Sequence, residues 1–268
     1  MIGICTDSNS QLPELLIERY AVEVVPITVT VDEHEYLEGI DLDSDRFYEL
    51  LDADPPPRVK TTQPSPGQFA AAYDSLLHRG CDEILSIHVT AATSGTLNSA
   101  RLAARLLPIP VRLVDSGTAG FGIGCCVWAA AEAIGAGANI DRAVRVAESL
   151  APSIGAVFVL GQPMFIRGDA AEGVPIMRMH EGRIEAIAHA TSVGDAVTAM
   201  ATAAIGWGPR LRVGVGLADS SGEGLTKALA ESIGASSNVV ELVRYRIGPS
   251  VGVYAGRGTV GCFMFPAA

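Results

Sequence analysis

Short apolar segments alternate with stretches of helical spacing along the first half of the chain. Three of these segments, residues 2–5, 84–89 and 111–114, are each followed by a cluster of small polar residues and then by a helical pattern. Such an alternation of strand and helix predicts a parallel sheet covered by helices. Ligands of sheets of this kind bind beyond the carboxyl ends of the strands. We therefore expect the ligand site of this half among the polar clusters.

The pattern changes near residue 153, where a Pro-Ser-Ile-Gly sequence interrupts the helical spacing. We predict an α/β fold with an N-terminal parallel-sheet domain at 1–153 and a smaller C-terminal α/β domain at 154–268. The β-branched run at 22–31 predicts one strand, and glycine-rich turns are expected between 245 and 260. In the second domain the spacing predicts a strand at 156–160, a hairpin formed by 175–179 and 183–187, helices at 193–205 and 221–233, and strands at 211–217, 239–245 and 260–265.

Composition limits the class of partner. The chain has 268 residues, of which 49% are apolar, so a large core is available. The net charge is −11 and no cluster of Lys and Arg is present, which argues against nucleic acid and against anionic membrane surfaces. Residues 117–138 are nearly uncharged, but they are rich in Gly and Ala and include Glu132, which favours a buried helix over a membrane span. We predict neither nucleic-acid binding nor stable membrane insertion.

The cysteine and histidine patterns predict a cytoplasmic protein without a metal or cofactor. The five cysteines are odd in number and form no C-x-x-C pair, as is typical of a reducing compartment. The N-terminus has no basic segment and no cleavage site, so no signal peptide is predicted. The five histidines are scattered and none has the H-x-x-x-H spacing of a zinc site.

A helix start lies just after two threonines, Thr61 and Thr62. Ser65 has the features of an N-cap, Pro66 those of a first helical residue, and Gln68 those of the partner in a capping box. The threonine hydroxyls would lie beside a helix N-terminus, whose free backbone N–H groups favour an anion. An ordinary loop that enters a helix is the alternative interpretation.

A second polar turn follows the strand at 84–89 and leads into a helix near Leu97. Its residues Ser94, Gly95 and Thr96 supply hydroxyls and backbone N–H groups but no charged side chain. Two such turns in one cleft suit an uncharged or singly anionic small molecule, and the apolar content suits an apolar tail. The candidate ligand-binding residues are therefore Thr61, Thr62, Ser94, Gly95 and Thr96.

Other functions compete for these residues. The glycines of 120–124 and 214–216 suggest a nucleotide site, but neither segment has the strand, G-x-G-x-x-G, helix arrangement. A serine hydrolase would use Ser94 as nucleophile and His88 or His180 as base. The G-x-S-x-G elbow is absent, but triads are defined by geometry, so this alternative stays open. A binder of another small ligand, or a relative that binds none, also stays open.

Four motifs of the first half resemble those of the DegV family of bacterial fatty-acid-binding proteins. Weaker matches at 174–176, 181–184 and 247–261 extend the resemblance to the C-terminus. The four motifs are Thr6-Asp7-Ser8, the VKTTQPS sequence at 59–65, the SGTLNSA sequence at 94–100, and Val114-Asp115-Ser116.

This resemblance implies two α/β domains with a long-chain fatty acid buried between them. It further implies that Thr61 and Ser94 hold the carboxylate of the fatty acid. Members of the family in Gram-positive bacteria hand the lipid to a fatty acid kinase and are not themselves enzymes. The resemblance therefore implies a carrier or sensor of fatty acid here, with a fatty acid kinase as the candidate partner.

The chain departs from the family pattern around the expected head group. A Gly-Gly-Arg sequence of the family corresponds to Gly168-Asp169-Ala170 here, and the loop that follows is shorter. An Arg of the family corresponds to Thr191 and a His to Tyr254, with Arg257 nearby. These departures leave lipid binding in place and predict poor support of a kinase reaction.

Overall fold

The computed structural model describes residues 1–161, 173–180 and 182–267. The chain forms two units: unit 1 comprises Met1–Ala151 with Gly248–Ser250, and unit 2 comprises Pro152–Ile247 with Val251–Ala268. Three residues of the C-terminal half therefore belong to unit 1, whereas the sequence placed all of 154–268 in the second domain.

Unit 1 contains a four-stranded parallel sheet. The strands of this unit are β1 (Ile2–Asp7), β2 (Glu23–Val25), β3 (Thr28–Val31), β4 (His34–Leu37), β5 (Val59–Thr62), β6 (Glu83–His88) and β7 (Val111–Asp115). The parallel sheet has the order β2-β1-β6-β7, and every neighbouring pair in it is parallel. The carboxyl ends of β1, β6 and β7 consequently lie at one edge, where the sequence predicted three polar turns. The predicted parallel sheet is confirmed.

The run at 22–31 forms two strands, so the prediction of one strand is wrong. β2 joins the parallel sheet, whereas β3 pairs with β4 and β5 in a separate antiparallel sheet. Pro26 separates them, because proline lacks the N–H that a sheet ladder needs. Thr61 and Thr62 are the last residues of β5, paired with β3, and not part of an irregular loop.

Two pairs of helices cover the parallel sheet. The helices of unit 1 are α1 (Glu14–Tyr20), α2 (Ser44–Leu50), α3 (Pro66–His78), α4 (Thr96–Ala104), α5 (Phe121–Gly135) and α6 (Ile140–Leu150). α3 and α4 pack together over a buried cluster that includes Phe69, Tyr73 and Ile84. α5 and α6 also pack together and against β6. α5 is buried over most of its length, as expected for the uncharged segment at 117–138, and no helix among the described residues is long and apolar enough to cross a membrane.

Unit 2 is built on a six-stranded sheet of order β10-β9-β8-β13-β11-β12, in which only β11 and β12 are parallel neighbours. Its strands are β8 (Gly155–Val159), β9 (Val174–His180), β10 (Arg183–Ala190), β11 (Leu211–Leu217), β12 (Val239–Arg246) and β13 (Val260–Pro266). Helices α7 (Val193–Ile205) and α8 (Glu223–Gly234) pack together over an apolar core that includes Met200, Leu229 and Cys262.

A short helix occupies part of the segment where the sequence indicated only turns. This helix, α9, spans Pro249–Ala255 and begins with the proline, which suits a first helical position. Gly252 lies inside the helix and lowers its intrinsic propensity, so the local pattern favoured turns.

Candidate functional site

The predicted capping box at the start of α3 is confirmed. The N–H of Gln68 donates to Ser65 Oγ at 3.2 Å, and the N–H of Ser65 donates to Gln68 Oε1 at 2.8 Å. α3 begins at Pro66 and ends at His78, before Gly80, whose φ of +83° closes the helix. The chain therefore passes from β5 into α3 along a path that hydrogen bonds fix.

The two threonines at the end of β5 have hydroxyls available for a ligand. Thr61 is half-buried and Thr62 is exposed. Within the described part of the chain, neither hydroxyl forms a hydrogen bond. A half-buried hydroxyl without a protein partner gains most from a ligand atom, because it is already partly removed from water.

The second turn places a serine hydroxyl at the N-terminus of α4. Ser94 Oγ accepts a hydrogen bond from the N–H of Thr96 at 3.2 Å and lies 2.8 Å from Thr96 Oγ1. Thr96 is fully buried and Ser94 is half-buried. The buried threonine thus fixes the orientation of the more accessible serine.

The two turns adjoin through Gln63 and Gly95. A Cβ atom on residue 95 would lie only 2.6 Å from Nε2 of Gln63 and 2.7 Å from its Cδ. The Gln63 side chain therefore covers the space that any larger residue at 95 would fill. The segment that carries Thr61 and the turn that carries Ser94 consequently form one surface of unit 1.

Hydrogen bonds connect the Ser94 turn with the turns after the other two strands. The N–H of Ala91 donates to Asp115 Oδ2 at 3.1 Å, and the N–H of Thr90 donates to the carbonyl of Thr118 at 3.0 Å. The N–H of Gly120 donates to Asn9 Oδ1 at 2.9 Å, which adds the turn after β1. The polar clusters that follow β1, β6 and β7 are thus gathered at one edge of the sheet.

The hydrolase alternative requires a contact between His88 and Ser94, but His88 contacts other side chains instead. Its Nε2 lies 2.6 Å from Ser86 Oγ and its Nδ1 lies 2.9 Å from Asp7 Oδ2. Both of its ring nitrogens are therefore engaged by other side chains, and all three residues are fully buried. His180, the other proposed base, lies in unit 2 in edge-to-face contact with Trp207. His88 is therefore not placed to act as the general base for Ser94.

A second polar cluster, which the sequence did not indicate, surrounds the buried carboxylate of Glu38. This carboxylate accepts a hydrogen bond from the N–H of Ser250 at 2.8 Å and one from the hydroxyl of Ser8. The side chain of Gln11 accepts from the N–H of Gly248 and donates to Glu38 at 3.5 Å. Burial raises the pKa of Glu38 above its ordinary value, although these hydrogen bonds oppose the shift. Glu38 therefore holds the segment Gly248–Ser250 in unit 1.

The glycines that suggested a nucleotide site serve packing. A Cβ on Gly124 would lie 2.7 Å from the backbone oxygen of Ser10, so α5 can approach that segment only with glycine there. A Cβ on Gly216 would collide with the ring of Tyr245. Among the described residues no group of three or more His, Cys, Asp or Glu side chains is arranged to hold a metal ion.

Thr191 and Tyr254, which depart from the family pattern, and the neighbouring Arg257 all lie in unit 2. The hydroxyl of Thr191 donates to Asp195 at 2.8 Å beside the N-terminus of α7. Tyr254 lies on α9 with 80% of its surface exposed. Nε of Arg257 forms an ion pair with Asp219 Oδ2 at 2.8 Å, so its charge is already compensated. The segment 168–170 lies outside the described residues.

Known proteins resemble this chain over nearly its whole length. The family model described as "Uncharacterised protein, DegV family" matches residues 1–167. A DegV domain-containing protein of Streptomyces coelicolor is 29% identical over 97% of this chain and 96% of its own length.

Solved structures share the fold. A fatty-acid-binding DegV family protein from Thermus thermophilus is 26% identical, with a TM-score of 0.80 and 99% of both chains covered. A DegV lipid binding protein from Thermotoga maritima is 23% identical, with a TM-score of 0.82 and 98% of both chains covered. These likenesses confirm both the α/β fold and the family that the motifs predicted. Because the family model matches more than half of the chain, the chain belongs to the DegV family.

Proposed function

We propose that this protein binds a long-chain fatty acid whose carboxylate is held by the hydroxyls of Thr61 and Ser94. The observation that carries the proposal is the contact between Gln63 and Gly95, which brings these two hydroxyl-bearing segments together in unit 1. The fatty acid binding of the Thermus thermophilus relative, which is 26% identical, supports the class of ligand.

The hydroxyl chemistry suits a carboxylate. If the buried Thr96 hydroxyl donates to Ser94, the Ser94 hydrogen is left to donate to a ligand oxygen. The hydroxyl of Thr61, which has no hydrogen-bond partner among the described residues, supplies a second donor. Charge-assisted hydrogen bonds of this kind are shorter and stronger than neutral ones. Thr62, Gly95 and Thr96 complete the site as the residues that surround the two donors.

The apolar chain supplies most of the affinity. Each CH₂ group removed from water contributes about 0.8 kcal/mol, so a long acyl chain outweighs the head group in total free energy. The hydroxyls then fix the orientation of the lipid and favour a carboxylate over an ester.

The protein acts in this proposal as a cytoplasmic carrier or sensor and not as an enzyme. The engagement of His88 by Ser86 and Asp7 leaves Ser94 without that base, which disfavours the hydrolase alternative. A fatty acid kinase is the proposed partner, with support for its reaction weakened by Thr191 and Tyr254 at positions where the family has Arg and His.

Lipid extraction and thermal unfolding test the proposal. Protein purified from bacterial cells should release a fatty acid that mass spectrometry of the extract identifies. Delipidated protein should gain thermal stability with oleate or palmitate, because a ligand that binds only the native state stabilises it. Absence of extractable lipid together with no shift at saturating ligand contradicts the proposal. Hydrolysis of p-nitrophenyl esters that is lost in Ser94→Ala favours the hydrolase instead.

A further inference from the structure

A chain of four buried side chains runs through unit 1 from α3 to β1. Tyr73 Oη of α3 lies 2.9 Å from Ser86 Oγ of β6, and Ser86 Oγ lies 2.6 Å from Nε2 of His88. Nδ1 of His88 lies 2.9 Å from Oδ2 of Asp7, the last residue of β1. All four side chains are fully buried, so water does not compete for these hydrogen bonds.

The carboxylate of Asp7, at the end of this series of side chains, sets the direction of every hydrogen bond in it. The carboxylate of Asp7 already accepts from the backbone N–H of Val89 at 3.1 Å and from that of Asn9 at 3.1 Å. An ionised carboxylate only accepts, so Nδ1 of His88 carries the hydrogen and donates to it. Nε2 of His88 is then the acceptor of a hydrogen bond from the Ser86 hydroxyl.

The opposite order fails at the other end of the chain. With the hydrogen on Nε2, Ser86 would donate to Tyr73, and the phenolic hydrogen would be left without an acceptor in this chain of contacts. In the order that ends at Asp7, Tyr73 donates to Ser86 and every hydrogen is used. The geometry therefore assigns the Nδ1–H tautomer to His88.

This series of hydrogen-bonded side chains ends at Asp7, which also contacts the start of the Ser94 turn. The N–H of Val89, the residue after β6, is bound to the carboxylate of Asp7, which fixes the point at which the chain leaves the sheet. The His88 ring also meets the ring of Phe69 edge to face, with centroids 5.0 Å apart and planes at 86°. Phe69 lies in the first turn of α3, directly after the segment that carries Thr61.

We propose that Asp7 and His88 are positioning residues for the carboxylate site proposed above. They hold the start of the Ser94 turn and the first turn of α3 against one another. They thereby set the separation of the Thr61 and Ser94 hydroxyls, although neither residue touches the ligand. Selectivity for a carboxylate then depends on a buried hydrogen-bond chain whose members are remote from solvent.

The isosteric change Asp7→Asn tests this role. One oxygen of Asp7 accepts from the N–H of Asn9, and the other accepts from the N–H of Val89 and from His88. The amide of asparagine has only one acceptor oxygen, so it cannot accept all three hydrogen bonds. Thr6→Val is the matched control: the Thr6 hydroxyl is equally buried on the same strand and donates to the carbonyl of Ile87 at 2.8 Å, so each variant loses a buried hydrogen bond.

Affinities for oleate and for oleyl alcohol separate positioning from general stability. We expect Asp7→Asn to weaken oleate binding about tenfold, the scale of one hydrogen bond to a charged group, and to change the affinity for oleyl alcohol less than about twofold. Thr6→Val should leave both affinities unchanged. In ¹⁵N spectra the wild type and Thr6→Val should both carry the His88 hydrogen on Nδ1.

Two results overturn the inference. If Asp7→Asn loses affinity for oleate and for oleyl alcohol equally, Asp7 and His88 only stabilise the fold. The same conclusion follows if Asp7→Asn binds oleate no more weakly than Thr6→Val does. Wild-type protein that binds neither ligand overturns the fatty-acid site itself and, with it, this role of Asp7 and His88.

A second pair of variants provides the test if Asp7→Asn does not fold. The amide of His88→Asn can place a donor near the former Nδ1 position and keep the contact with Asp7, whereas His88→Ala removes it. We expect His88→Asn to retain selectivity for oleate over oleyl alcohol and His88→Ala to lose it. Equal selectivity in the two variants contradicts the positioning role.

Discussion

Unit 1 and unit 2 differ in what they bury. The buried polar side chains of unit 1 cluster around the carboxyl ends of its parallel strands, whereas the interior of unit 2 is almost entirely aliphatic. A buried polar group is costly unless it is paired, so unit 1 uses hydrogen bonds to specify positions and unit 2 uses apolar packing for stability. In unit 1 the buried polar residues are Thr6, Asp7, Asn9, Ser10, Gln11, Glu38, Ser86, His88, Thr96, Ser99, Ser116 and Ser250; among the described residues of unit 2 they are Asp219, Thr226 and Thr259.

The largest expected effect is on the core of unit 2. Leu229 is fully buried on α8, so Leu229→Ala should lower the free energy of unfolding by about 2–5 kcal/mol through lost burial and a residual cavity. Urea denaturation measures the change. Val240→Ala, at a position that is 49% exposed on β12, is the control and should stay within about 0.5 kcal/mol of wild type. Equal losses in both variants would show that this core is loosely packed.

The next effect is on ligand affinity in unit 1. Thr61→Ala and Ser94→Ala should each weaken fatty-acid binding about tenfold or more, because a hydrogen bond to a charged group contributes about 1.5–3 kcal/mol. Calorimetry with oleate measures the loss. Thr61→Ser keeps the hydroxyl and should be nearly silent. A loss in Thr61→Ser as large as that in Thr61→Ala would place the carboxylate elsewhere.

A gain of function is expected for the kinase reaction. The double change Thr191→Arg with Tyr254→His restores the cations of the family pattern, which can neutralise the developing phosphate charge. Formation of acyl-phosphate with a family kinase, trapped by hydroxylamine, should rise several-fold while oleate affinity stays constant. The neutral pair Thr191→Gln with Tyr254→Asn should not raise it. Wild-type activity equal to that of a member with the Arg and His would contradict the weakened kinase role.

A smaller loss should follow from separating the two turns of unit 1. In Gly95→Ala the new Cβ would lie 2.6 Å from Gln63 Nε2, so the flexible Gln63 side chain must move away. We expect oleate binding to weaken about two- to fivefold, less than a decade of affinity. Gly67→Ala in α3 is the control, since its Cβ would come no closer than 3.8 Å to a neighbour. Equal affinities of the two variants would show that the contact at Gly95 does not matter for binding.

The smallest effect concerns the pH dependence of stability. Burial raises the pKa of Glu38 in the folded protein above its ordinary value of 4.5, so the folded state binds this proton more tightly than the unfolded state. The tighter binding of this proton stabilises the folded state fully at pH values below the ordinary pKa. This stabilisation is lost as the pH rises through the raised pKa. Glu38→Gln should therefore gain stability relative to wild type as the pH rises, as urea denaturation at several pH values would show. The exposed control Glu35→Gln should show no such gain.

Much of the fold could be predicted from the sequence because it depends on local chemistry. The capping box of Ser65 and Gln68, the alternation of strand and helix, and the bounds of α7 and β11 follow from side-chain spacing and from which residues can end a helix. The family followed from short motifs in and beside the polar turns.

Tertiary structure decided the features that depend on partners remote in sequence. Pro26 divides an apparently continuous strand between two sheets, and Glu38 binds the backbone of Ser250, which no local pattern connects to it. His88 was a candidate base from its position near Ser94, but Asp7 and Ser86 engage both of its ring nitrogens. The sequence thus determined the types of side chain at the edge of the sheet, and the pairing of strands determined which of them meet, because a hydrogen bond requires two groups within about 3 Å whatever their separation along the chain.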